Sequence, residues 1–229
     1  MFWPVVQFSV SALFIFGAAT FLVKFADQIA DATKLGRLLV GSLFLAAATS
    51  LPELLVDINA VKDGFPDIGV GNVFGSCLFN LFILAIGDIF HKGSHTIFSR
   101  ESAAHALSAA MSIMITSIAG IAIFLAPYLQ SYSTGPVGLG TMAIVIFYIF
   151  GTRLIFFDQR ISMTKTTVTT VENPGKVSIQ RAFTGYFISA TVILAAAPFL
   201  AEAAGEIAEK SGLGGTFVGT TLVSLATTL

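Results

Sequence analysis

Long apolar stretches separated by short polar connections decide what this chain can fold into. They lie near 3–24, 36–60, 68–90, 103–126, 137–157 and 182–204, and a seventh begins near 213. A bilayer core about 30 Å thick is crossed by roughly 20 apolar residues of helix. In lipid every backbone polar group must bond within its own segment, which favours helices; a barrel would show shorter segments of alternating polarity. Composition agrees. Only 11% of residues are charged and mean hydropathy is +0.87, against about 25% charged in a soluble domain. The fold class read from this pattern is all-α: a polytopic membrane protein with six spans and part of a seventh. The net charge of -1 gives no reason to invoke a nucleic-acid partner, and the lone Cys77 cannot form an internal disulfide.

The first span reads as a retained helix. Met1-Phe2-Trp3-Pro4 has no basic side chain, although Gly17-Ala18-Ala19 leaves a cleavable signal peptide as the alternative. Orientation follows from the basic residues. Ten of the twelve fall in the connections after spans one, three and five: Lys24, Lys34, Arg37; Lys92, Arg100; Arg153, Arg160, Lys165, Lys176, Arg181. Only Lys62 and Lys210 lie on the other side. The N-terminus is therefore expected outside and those three connections in the cytoplasm, as in a multi-pass protein of the cell membrane. Residues 158–181, with the turn Asn173-Pro174-Gly175, read as a cytoplasmic linker between two halves. His91, His95 and His105 lie in or beside the connection after span three and read as solvated loop residues rather than metal ligands.

The chain also repeats itself. Residues 25–51 aligned on 203–229, an offset of 178, share ten identities in 27 positions without a gap. Thr49 falls on Thr227, Gly36 on Gly214 and Gly41 on Gly219, while Ser50 faces Thr228. The offset carries span one onto span six, so each repeat has five helices. An odd number inverts the second copy in the membrane, and such repeats enclose a midplane site in many secondary transporters. On this reading 1–157 is the first repeat and 182–229 an incomplete second one. The first copy continues Pro52-Glu53 where the chain stops. A Pro-Glu pair and the rest of a C-terminal half are therefore expected downstream.

The chemistry concentrates in ATSLPELLVD, Ala48 to Asp57. Glu53 sits mid-span, where a carboxylate costs about 2.5–3.5 kcal/mol and needs a partner or a purpose. Pro52 lacks an N–H and should kink the helix, turning carbonyls from Ala46 to Ala48 inward. Thr49, Ser50 and Glu53 share one helical face. Carboxylate, hydroxyl and carbonyl oxygens are the ligands that hard cations prefer. Asp57, one turn further, has two open readings: a second carboxylate on an ion path, or an interfacial residue near Lys62. In span three, Gly71-x-x-x-Gly75 permits close helix packing. Ser76 and Asn80, four apart, could complete an oxygen cage, with Cys77 packing beside them. Asn72 could join that cage or cap the helix.

Two runs, VGSLFLAAATSLPELL and GVGNVFGSCLFNLFIL, resemble the first alpha-repeat of the calcium/cation antiporter superfamily. VGTTLVSLATTL is similar to the opening of its second. The resemblance, which is closest to sodium/calcium exchangers, implies ion binding between two repeats with a Glu from each. It assigns coordination to Thr49, Ser50, Glu53, Ser76 and Asn80, joined by Thr227 and Thr228. Asp57 departs from the small or hydroxyl residue common there, which bears on ion identity. Proton-coupled relatives usually carry G-N-x-x-E, whereas Gly75 follows Asn72 at that spacing, so sodium coupling is ranked above proton coupling, with a proton- or potassium-coupled cation exchanger as the alternative. The implied function is secondary antiport of calcium against sodium, both as transported ions, with no cofactor. A non-transporting scaffold or half-transporter, and a channel, are the alternatives. No nucleophile–base pair or nucleotide loop suggests an enzyme.

Overall fold

The computed structural model describes residues 1–33, 42–90, 106–129, 138–163 and 179–228. The described residues are helical, with no strand among them. In order these are α1 (Phe2–Thr33), α2 (Ser42–Lys62), α3 (Pro66–Phe90), α4 (Ala106–Leu129), α5 (Leu139–Met163) and α6 (Ile179–Ser211). Then come α7 (Gly215–Val218), a π-helical segment (Gly219–Val223) and α8 (Ser224–Thr228). Among the described residues, four stretches are long and apolar enough to cross a membrane: Phe2–Ile29, Pro66–Phe90, Leu107–Tyr128 and Ile179–Ser211, with a shorter apolar stretch at Leu139–Ile155. The three histidines, Lys34, Arg37, Lys92, Arg100, Lys165, Lys176 and the Asn173–Gly175 turn lie outside the described residues.

The chain forms two compact units, one from 1–86 with 172–229 and one from 87–171. In the second unit α4 packs on α5 through small residues. Gly151 accommodates the Met111 side chain and Gly140 the methyl group of Ala122. Phe124, Tyr128, Phe150 and Ile113 are exposed. Exposed side chains of this size and number suit lipid rather than water, since soluble monomers rarely expose contiguous apolar patches beyond a few hundred Å².

The first unit is organised by α1 and α6, which run antiparallel. Phe25, late in α1, covers Gly185, early in α6. At the other end Gln7 Nε2 donates to Glu202 Oε2 at 3.0 Å and to the Phe199 carbonyl at 3.2 Å. Small residues let the backbones approach: Ala197, Ala201, Ala204 and Ala208 of α6 are buried with Ile15, Val56, Ala60 and Ile68. A second cluster joins Ala18, Leu22 and Ala26 of α1 to Ala48 and Ile193. α1 thus supplies part of the core of this unit. Its 32 residues rise about 48 Å, beyond the hydrocarbon thickness, so it tilts or protrudes.

A candidate cation site between helices

Local sequence sets the register of the site. At Lys62-Asp63-Gly64-Phe65-Pro66, Gly64 adopts φ 88°, a left-handed conformation that a glycine takes without steric cost. Phe65 N–H donates to the Ala60 carbonyl at 2.8 Å and Gly64 N–H to that of Val61 at 3.2 Å. This paired closure ends a helix. Pro66 then opens α3 at a position where no N–H is needed. α2 and α3 are therefore joined by a tight turn that reverses the chain.

Near the turn, Asn72 Nδ2 donates to Asp57 Oδ1 at 2.7 Å. One and two helical turns further from the connection stand Glu53 and Thr49 on α2, and Ser76 and Asn80 on α3. Asn72 is fully buried, and its Oδ1 accepts from Thr227 Oγ1 of α8 at 3.2 Å. One amide thus links α2, α3 and α8. It does not cap α3, and its sequence gave no sign of this bridging role, which appears only once α2, α3 and α8 are in place.

α3 approaches the α7–α8 region closely because of its glycines. A Cβ on Gly71 would lie 2.6 Å from the Thr216 carbonyl oxygen, and one on Gly75 would lie 2.6 Å from Ser224 Oγ. The small-residue spacing read from the sequence therefore serves this contact. On the facing side, Gly219 opens the π-helical segment beside the Ile68 backbone.

Among the described residues, three buried side-chain oxygens make no hydrogen bond: Glu53 Oε2, Ser76 Oγ and Thr228 Oγ1. They come from α2, α3 and α8. Leaving a buried polar group unpaired costs about 1–3 kcal/mol, so three such groups among the predicted ligands require an explanation. Thr227 is also buried, and the remaining candidates are less enclosed. Ser50 and Asn80 are exposed, as is Ala46, whose carbonyl accepts from Thr49 Oγ1 at 3.1 Å. Thr227 Oγ1 reaches the Ser224 carbonyl, three residues back, at 3.4 Å. Ser224 and Ala46 are themselves 178 apart, so equivalent threonines share the same local contact. α2 runs unbroken through the buried Pro52, so any bend there leaves the helix continuous. Cys77, expected to pack, is exposed. Among the described residues no three His, Cys, Asp or Glu side chains cluster, so a cation here would depend on hydroxyl and carbonyl oxygens beside its carboxylates.

Comparison with known proteins decides the family. The family model described as "Sodium/calcium exchanger protein" matches residues 3–170. This chain belongs to the sodium/calcium exchanger family. The exchanger MaX1 of Methanosarcina acetivorans, a sodium/calcium exchanger by name, is 42% identical over 53 residues, which is 23% of this chain and 15% of its own length. Inner membrane protein YrbG of Escherichia coli is 39% identical over 74 residues, 32% of this chain and 23% of its own. The sodium/potassium/calcium exchanger Nckx30C of Drosophila melanogaster is 34% identical over 73 residues, 31% and 8% respectively. The aligned stretches thus span less than a quarter of each relative. That family is one of membrane transport proteins rather than enzymes, and the long apolar helices of this chain suit an integral membrane protein.

Proposed function

We propose that this chain carries the cation-binding region of a secondary antiporter that exchanges calcium for sodium by alternating access. The observation that carries the reading is the trio of buried, unpaired oxygens on Glu53, Ser76 and Thr228. Calcium takes six to eight oxygen ligands at about 2.3–2.6 Å and tolerates mixed carboxylate, hydroxyl and carbonyl sets. Oxygens left without protein partners suit that task, since none must first give up a hydrogen bond. Thr49, Ser50, Asn80, Thr227 and the Ala46 carbonyl would complete the set as helices close around the ion. Sodium competing for the same oxygens would displace calcium toward the opposite side. The named activities of MaX1 and Nckx30C support calcium as cargo, and the potassium in the second name keeps potassium co-transport as the rival coupling.

An inverted-topology repeat underlies the proposal. Shifting α1 by 178 gives 180–211, against Ile179–Ser211 for α6, and the two helices run antiparallel, as inversion demands. We assign the N-terminus and the α2–α3 turn to the outside of the cell membrane.

The test uses the full-length protein in proteoliposomes loaded with sodium. An outward sodium gradient should drive uptake of radioactive calcium, and Glu53→Gln should reduce it to background while the protein stays folded. Uptake of the variant equal to wild type would overturn the assignment. A potassium gradient, imposed alone and then with sodium, separates the two couplings.

A further inference from the structure

Asp57 is a charged group within α2 that the proposed site does not need. It is partly buried, on the same face of α2 as Glu53 and one turn closer to the α2–α3 turn. Among the described residues its hydrogen-bond partner is the neutral Asn72 amide, at 2.7 Å. Lys62, the nearest basic residue along α2, is exposed at the helix end, and no ion pair with Asp57 occurs among the described residues. A carboxylate inside a span is costly unless paired, and one neutral donor compensates a negative charge poorly. Asn72 cannot swing away freely, because its other end is held by Thr227. The side chain is thus fixed in place while its charge remains unmatched.

Resting on the calcium-binding reading above, we infer that Asp57 is a second cation-binding carboxylate. It forms an additional position for a divalent ion on the path between Glu53 and the α2–α3 turn. Side chains four apart on a helix are neighbours, with Cβ atoms about 5–6 Å apart. An ion can therefore pass from one carboxylate to the other without crossing an uncharged stretch. Ser76, 8% exposed with its hydroxyl unpaired, lies one turn from Asn72 on the α3 face that meets α2. It supplies a neutral oxygen beside that passage. Glu53 and Asp57 together provide two negative charges within one span, which offsets the desolvation of a divalent ion better than of a monovalent one. The position should therefore favour calcium over sodium.

Asp57→Asn is the informative variant because it keeps an oxygen to accept from Asn72 and removes only the charge. Equilibrium binding of radioactive calcium to the detergent-purified full-length protein is measured for wild type, Asp57→Asn, Asp57→Glu and Glu53→Gln, with thermal unfolding as a check on folding. The half-saturating calcium concentration of Asp57→Asn should rise roughly tenfold or more. Asp57→Glu should recover most of the loss, and unfolding temperatures should match. If Asp57 only anchors Asn72, Asp57→Asn will bind calcium like wild type, and the inference falls while the Glu53 site stands. If wild type binds no calcium, or Glu53→Gln binds as well as wild type, the underlying reading falls first.

Discussion

Asn72 and Ser76 lie one turn apart on the same helix and do opposite things. Asn72 spends both ends of its amide on protein partners, Asp57 and Thr227, whereas Ser76 Oγ spends nothing. Removing a buried hydrogen-bonding group that satisfies others leaves those others unpaired, at about 1–3 kcal/mol. Asn72→Ala should therefore lower the unfolding temperature in detergent, even without calcium. Ser76→Ala removes a hydroxyl that bonds to nothing in the protein, so calcium-free stability should be unchanged. Its calcium affinity should fall several-fold, or about 1 kcal/mol. The two variants measured by thermal unfolding with and without calcium separate scaffold from ligand. A marked calcium-free destabilisation by Ser76→Ala would show that Ser76 supports the fold instead. The sequence identified Ser76 as a ligand candidate from its spacing to Asn80. It left Asn72 ambiguous, because an asparagine near a helix start can cap, bind or bridge, and only three-dimensional neighbours distinguish these.

At the scale of helices, the hydropathy pattern located the described spans because lipid imposes a length and a composition on anything that crosses it. Ends were less legible. The first span was expected to finish near 24, yet α1 continues to Thr33 through Lys24, Asp27 and Asp31. Polar residues end the apolar stretch without ending the hydrogen-bonded helix. The π-helical segment Gly219–Val223 left no mark in the pattern either, since it depends on what packs against it. The tight α3 packing does have a sequence signature, Gly71-x-x-x-Gly75, and it yields a prediction. A methyl group on Gly75 would strike the Thr220 carbonyl and Ser224, which are backbone and a short side chain with little room to yield. Gly75→Ala should destabilise the purified protein by about 1–3 kcal/mol through overpacking. Gly87→Ala, on the same helix where an added methyl meets nothing, should be neutral or mildly stabilising because alanine favours helix by about 1 kcal/mol. Equal unfolding temperatures for the two variants would remove the close-packing account.

For the molecule as a whole, charge and fold give independent views of which connections share a side. The positive-inside argument uses basic residues alone and puts Lys62 and Lys210 together on the outer side. The fold reaches the same grouping without charge. Gly64, Phe65 and Asp67 of the α2–α3 turn line one shallow pocket with Ala208, Gly214 and Gly215 from the α6–α7 connection. Lys62 and Lys210 flank these two connections, and Lys210 pairs locally with Glu206. Two five-helix copies require this, because the connection after the second helix and that after the sixth then share a side. Cysteine labelling tests it. With the native thiol removed as Cys77→Ser, single cysteines at Lys62, Lys210, Arg153 and Arg181 are exposed to a membrane-impermeant maleimide on intact cells, then after permeabilisation. Lys62→Cys and Lys210→Cys should label in intact cells, and Arg153→Cys and Arg181→Cys only once the inner face is opened. The reverse pattern would invert the orientation but keep the repeat. Lys62→Cys and Lys210→Cys labelling from opposite sides would break the repeat itself, since no odd-numbered pair of inverted copies can separate them.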